Sequence, residues 1–138
     1  MEKKDLKPAG VFHYFEEICQ VPRPSKKEEK IIAYLKAFGE KHKLETKVDE
    51  AGNVLIKKPA TPGMENRKGV ILQGHMDMVP QKTPDSKHNF ETDPIETYIE
   101  DNWVKAKGTT LGSDDGIGVA TVMAVMTNKN LKHGPIEG

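Results

Sequence analysis

The sequence has little of several residue types that mark particular classes of protein. Its 138 residues include a single cysteine, Cys19, so neither an internal disulfide nor an all-cysteine metal site can form. No run of about 18 apolar residues occurs, and this excludes a membrane-spanning helix. Lys and Arg number 21, as do Asp and Glu, so there is no basic excess to follow the phosphates of a nucleic acid. With no apolar stretch behind the basic N-terminus, the composition predicts a cytoplasmic setting.

Aromatic residues are also few, at 6%, whereas charged residues make up 30%. The length suits one domain or part of a larger one. Apolar residues at helical spacing predict a first helix from Pro8 to Cys19, which two nearby prolines end. Ser25 and Glu28 have the spacing of a capping box, so a second helix is expected to begin there and to carry the apolar stripe that follows.

The remaining segments alternate between strand and helix patterns. Residues 44–56 predict a β-hairpin with a Gly-Asn turn, and residues 95–106 predict another. Residues 69–74 are typical of a short buried strand. A third helix is expected to open at Asp114 and to end near Asn128, and residues 131–138 are interpreted as a linker. The order predicts an α/β fold in which helices flank a mixed sheet.

His75 and Asp77 form the first candidate site, at the end of the apolar segment 69–74. In extended chain, residues two apart point to the same face, so the two side chains are expected to project together. Imidazole is a good ligand for zinc and related ions, and a nearby carboxylate can orient it. A polar strand end that merely faces solvent is the alternative interpretation.

The second candidate site is Asp114-Asp115-Gly116, which precedes a helix. Glycines around the two carboxylates allow close backbone approach, and a carboxylate here could bridge two metal ions. However, acidic side chains also cap helix N-termini, so Ser113 or Asp114 could simply serve as a cap.

In combination, residues 73–81, 108–118 and 133–137 resemble the M20 metallopeptidases. The similarity is greatest to the aminoacyl-histidine (Xaa-His) dipeptidase branch and extends over nearly the whole chain from about residue 8. The run G-T-T-L-G-S-D-D-G-I-G is the specific part, whereas H-x-D alone is a loose pattern. Gly116 stands where the wider family has Lys, and this difference favours the dipeptidase branch.

The resemblance implies a zinc-peptidase-like catalytic domain that binds two divalent metal ions. Zinc is the expected metal, and cobalt or manganese are the alternatives. His75 would ligate one metal, and Asp114 would bridge both and be followed by a cis peptide bond to Asp115. Asp77, the catalytic candidate, would orient His75. The ions would polarise a scissile carbonyl and activate a water, with short peptides as substrates, Xaa-His dipeptides above all.

Other parts of the family's machinery are expected beyond residue 138. These are the general-base Glu, the remaining metal ligands and a lid domain that contributes to a homodimer. Residues 1–138 are therefore interpreted as the N-terminal portion of the catalytic domain, incomplete at its C-terminus and inactive alone. The open edge of such a sheet is expected to permit self-association.

Two alternatives stay open at this stage. The chain could derive from another M20 hydrolase, such as a tripeptidase or a deacylase. It could also be a non-catalytic α/β interaction domain, in which the Asp pair caps a helix and His75 has no role.

Overall fold

Three helices pack with two sheets in the computed structural model, which describes residues 1–138. After a 3-10 turn at Lys3–Asp5, the elements in chain order are α1 (Ala9–Cys19), α2 (Glu29–Lys41), β1 (Glu45–Val48), β2 (Val54–Lys58), β3 (Val70–Ile71), β4 (Thr97–Glu100), β5 (Trp103–Ala106), α3 (Ser113–Thr127) and β6 (Ile136–Glu137).

The main sheet has the strand order β1-β2-β6-β3. The pairs β1–β2 and β2–β6 are antiparallel, whereas β3 and β6 are parallel, so the sheet is mixed. Strands β4 and β5 form a separate hairpin whose turn is Asp101-Asn102. The predicted α/β class with a mixed sheet is confirmed, and so are both predicted hairpins.

One apolar cluster joins all three helices to the main sheet. Helix α1 packs along α3, while α2 covers β1 and β2. Cys19 lies inside this cluster at 1% exposure, in the core position that its helical spacing indicates. None of the helices is both long enough and apolar enough to cross a membrane. The 13 buried members are Phe15, Ile18, Cys19, Ile31, Leu35, Phe38, Ile56, Met78, Ile95, Ala120, Met123, Met126 and Ile136.

The predicted capping box at the start of the second helix is wrong. Helix α2 begins at Glu29, and its N-cap residue, Glu28, makes no side-chain cap hydrogen bond. Lys26 adopts a left-handed conformation with φ 74°, so the chain turns before the helix starts. The Glu28 carboxylate accepts the Lys26 N–H inside this turn, and the Ser25 hydroxyl points elsewhere.

Two predictions about the ends of the sheet are also wrong. Residues 69–74 contain only the two-residue strand β3, which is exposed because it pairs on one side alone; Val70 is 51% and Ile71 76% exposed. Residues 131–138 are no linker, because Ile136–Glu137 forms β6 between β2 and β3. Ile136 is only 6% exposed, so this residue belongs to the core.

Candidate functional site

His75 lies between two carboxylates at one end of the main sheet. Its Nδ1 is 3.0 Å from Asp77 Oδ1, and its Nε2 is 2.9 Å from Asp114 Oδ1. The two candidate sites of the sequence therefore meet in one cluster. Residues 73–77 follow β3 without strand pairing of their own, yet His75 and Asp77 still project together.

Asp114 reaches His75 because the first turn of α3 is irregular. The N-cap residue is Gly112 in the left-handed region, with φ 78°, and no side chain caps the helix. Asp114 (φ −93°, ψ 101°) departs from helical geometry, and the Asp114–Asp115 peptide is cis, as the resemblance implies. Because no side chain makes a cap hydrogen bond, the interpretation of Ser113 or Asp114 as a simple helix cap is wrong. The Asp114 side chain is instead 95% exposed.

Two further residues support this cluster, and the sequence reasoning missed both. The Ser25 hydroxyl donates to Asp77 Oδ2 at 2.5 Å, and the Arg23 guanidinium lies beneath the same segment. A parallel bridge between Pro24 and Met78 brings them there. The available signal was the Pro-Arg-Pro-Ser run, since prolines favour the extended backbone that can pair with a neighbouring segment.

Hydrogen bonds inside the cluster shift its pKa values in opposite directions. The bond to Asp114 raises the pKa of His75, and the bonds to Asp77 act in the same direction. The Ser25 hydroxyl lowers the pKa of Asp77, and His75 adds to that effect. Near neutral pH the cluster therefore favours an ionised Asp77, which holds the imidazole at Nδ1.

The second carboxylate of the pair, Asp115, occupies space that glycines leave free. A Cβ atom at Gly118 would overlap the Asp115 carboxylate, and one at Gly74 would come within 2.5 Å of it. A mostly apolar groove of about 660 Å³ adjoins the cluster, with His75 and Asp77 among its lining residues. This volume is in the range of small-molecule pockets.

The cluster offers two donors of the kinds that divalent metals bind, an imidazole nitrogen and a carboxylate oxygen. No group of three or more His, Cys, Asp or Glu residues is arranged to hold a metal ion. The residues present thus fit part of a metal site, and a complete site would need further ligands.

Two other histidines and the single cysteine lie outside the cluster. His13 pairs with Glu17 on the surface of α1, and His88 meets the ring of Phe90 edge-on in the loop before β4. Burial raises the pKa of the Cys19 thiol to about 12, so this cysteine is no nucleophile.

No family model matches the chain. The cytosol non-specific dipeptidase of Escherichia coli (strain K12) is 48% identical over 136 residues, which are 99% of this chain. Among solved structures, the aminoacylhistidine dipeptidase of Vibrio alginolyticus is 52% identical over 99% of the chain, with a TM-score of 0.95. A Staphylococcus aureus tripeptidase, 23% identical, shares the fold over 93% of this chain and 34% of its own, with a TM-score of 0.72.

The aminopeptidase PepT of Bacillus cereus is 26% identical, with a TM-score of 0.71, over 93% of this chain and 34% of its own. The chain spans 28% of the length of each of the two dipeptidases. Identity near one half and the near-complete structural match confirm the resemblance drawn from the motifs. Over that share of their length, this chain is similar in sequence and in fold to these two dipeptidases.

Proposed function

We propose that the chain contributes the first metal-binding residues of a metal-dependent dipeptidase that hydrolyses short peptides, above all dipeptides with a C-terminal histidine. The observation that carries the proposal is the row of side chains Asp77–His75–Asp114, with contacts of 3.0 and 2.9 Å. Sequence identity of 48 and 52% to two dipeptidases supports the reaction class.

Within this proposal, each side chain has a distinct task. His75 Nε2 and the exposed Asp114 carboxylate act as metal ligands. Asp77 accepts a hydrogen bond from the Nδ1–H of His75, so the tautomer that leaves Nε2 free for a metal is favoured. Divalent ions held there would supply Lewis-acid polarisation of a scissile carbonyl and lower the pKa of a water. Zinc suits a mixed nitrogen and oxygen donor set, with cobalt or manganese as alternatives.

The proposal extends to the organisation of a longer protein. Residues 1–138 would form the N-terminal portion of its catalytic domain. The general base, the remaining ligands and a lid domain that mediates homodimerisation would lie in the share of the relatives that this chain does not cover. A cytoplasmic location is supported by the name of the E. coli relative and by the buried free thiol of Cys19.

Isothermal titration calorimetry with zinc tests the metal-binding part of this proposal. We expect weak binding at a single site by the 138-residue chain, and its loss in His75→Ala and Asp114→Ala. His13→Ala is the matched control, because His13 is an exposed histidine away from the cluster, and it should bind as the wild type does. Identical zinc binding in the wild type and the His75→Ala/Asp114→Ala double variant would contradict the assignment.

A chimeric enzyme tests the catalytic part. The chain replaces the matching 136-residue segment of the E. coli dipeptidase, and hydrolysis of Xaa-His dipeptides is measured. We expect activity in the chimera, its loss on Asp77→Ala, and none in the isolated 138-residue chain. A preference for tripeptides would favour a tripeptidase. A folded but inert chimera would favour the non-catalytic interaction domain.

A further inference from the structure

Arg23 is the only charged side chain that the fold buries completely, with 1% exposure. It comes from the extended Pro22-Arg23-Pro24 segment between α1 and α2. Burial of a guanidinium is unfavourable unless its N–H groups are satisfied, and an apolar side chain of similar size would fill a core more easily. No carboxylate is bonded to Arg23: Nη1 and Nη2 donate to backbone carbonyls only, and the buried Nε has no partner. The two Nη groups must therefore explain why an arginine is buried here.

Those carbonyls belong to the two segments that carry the candidate site. Arg23 Nη1 donates to the carbonyls of Met76, at 3.2 Å, and of Asp77, at 3.4 Å. Its Nη2 donates to the carbonyl of Gly112 at 2.9 Å. The Arg23 guanidinium thus links the segment that carries His75 and Asp77 to Gly112, the N-cap residue of the turn that carries Asp114.

The surroundings of Arg23 are shaped to receive it. A Cβ atom at Gly112 would lie 2.6 Å from Nη2, and one at Gly116 would lie 2.7 Å from it. The Arg23 backbone is fixed as well, because its carbonyl accepts the Met78 N–H at 3.0 Å. The glycines of the Asp-Asp motif therefore serve to admit this guanidinium.

We propose that Arg23 is a positioning residue that fixes the separation between His75 and Asp114 by tying the Met76–Asp77 carbonyls to the Gly112 carbonyl. A guanidinium suits this task because its planar group holds N–H donors in fixed, different directions, so it can bond to two segments at once. The ammonium of a lysine has all its donors on one nitrogen. The inference rests on the proposed function, since the separation matters most if both side chains bind metal.

The first test is made without metal. Histidine ring ¹⁵N signals are recorded by NMR for the 138-residue chain in EDTA, with Asp114→Ala as the reference for a His75 ring that has lost its partner. We expect the His75 signals of Arg23→Met and Arg23→Lys to move towards those of Asp114→Ala. Phe38→Leu changes a core residue that makes none of the Arg23 hydrogen bonds, so it should retain the wild-type His75 signals even though it lowers stability. Its effect on the neighbouring His42 ring is read separately.

The second test measures zinc affinity in the same variants. Loss of a residue that orients metal ligands typically weakens binding by about 10–100-fold, and we expect this in Arg23→Met, with Phe38→Leu unchanged. In Arg23→Ala, millimolar guanidinium should restore both the ring signals and the affinity, whereas ammonium at equal ionic strength should not. If Arg23→Met fails to fold, the His75 ring signals and the zinc affinity of Arg23→Lys decide whether Arg23 is a positioning residue.

Wild-type ring signals in a folded Arg23→Lys variant would overturn the positioning role. If the wild type binds no zinc, the proposed metal function fails. The ring signals still decide the role of Arg23 in that case, because they are read without metal.

Discussion

At the scale of single residues, the Ser25 hydroxyl is the contact that fixes the Asp77 carboxylate. It donates to Oδ2 at 2.5 Å, while Asp77 Oδ1 faces His75. Ser25→Ala should leave the Asp77 carboxylate held by His75 alone and raise the pKa of Asp77 towards its ordinary value. We expect zinc affinity to fall by about tenfold and the free energy of unfolding to fall by about 1 kcal/mol, as measured by calorimetry and urea denaturation.

Two matched variants distinguish the effect of the Ser25 hydroxyl on zinc affinity from a general effect of altered packing. Ser25→Thr keeps the donor and should bind zinc like the wild type. Ser86→Ala removes a hydroxyl that only accepts the His88 N–H, so it should leave zinc affinity unchanged. Equal affinity in Ser25→Ala and the wild type would show that Asp77 holds its position without Ser25.

The residues of the cluster differ in how far the sequence could predict them. His75, Asp77 and Asp114 stand in short motifs beside glycines, and their chemistry is local enough to be proposed from residue type and spacing. Arg23 and Ser25 act through residues more than 50 positions away. An arginine is ordinarily exposed, and a serine three residues before a glutamate ordinarily caps a helix, so local patterns pointed away from both roles.

At the scale of elements, the packing of α2 against β1 depends on a glycine. Gly39 lies in the last part of α2, and a Cβ atom there would overlap Thr46 Oγ1. Alanine normally favours a helix by about 1 kcal/mol over glycine. At this position we expect the reverse, with Gly39→Ala lowering the free energy of unfolding by about 1–3 kcal/mol because the strand must shift. Urea denaturation measures the change.

Thr46→Ala provides the partner for a double-mutant cycle. It removes the overlapping oxygen, so Gly39→Ala/Thr46→Ala should lose less stability than the two single changes added together. Strict additivity, or a stabilised Gly39→Ala protein, would mean that the helix and strand adjust without cost.

Prediction of the elements succeeded where their signals are local. Helical periodicity and hairpin turns identify all three helices and both hairpins. The failures are β3 and β6, which are two residues each and exist through pairing over a long sequence separation, Val70 with Ile136 and Ile71 with Glu137. A two-residue strand has no period to recognise, and its burial is decided by its neighbours: Ile136 is enclosed between β2 and β3, while Ile71 lies at an edge.

At the scale of the whole molecule, the two edges of the main sheet are unequally protected. Strand β1 carries Glu45 and Lys47, whose charges discourage pairing with another chain. Strand β3 is apolar, with Val70 and Ile71 exposed. The N–H groups of Val70 and Leu72 bond to the β6 side, so that of Ile71 faces the open edge. We propose that self-association of the 138-residue chain occurs through β3.

Ile71→Lys tests this edge directly, because a charge on an open strand discourages pairing without touching the core. We expect the wild-type chain to shift from monomer to dimer as its concentration rises in sedimentation-velocity runs, and Ile71→Lys to remain monomeric. Val48→Lys at the opposite edge is the matched control, since Val48 is 39% exposed, and it should associate like the wild type. A monomeric wild type, or equal association in both variants, would rule out β3 as the contact, because only pairing at that strand makes the two substitutions differ.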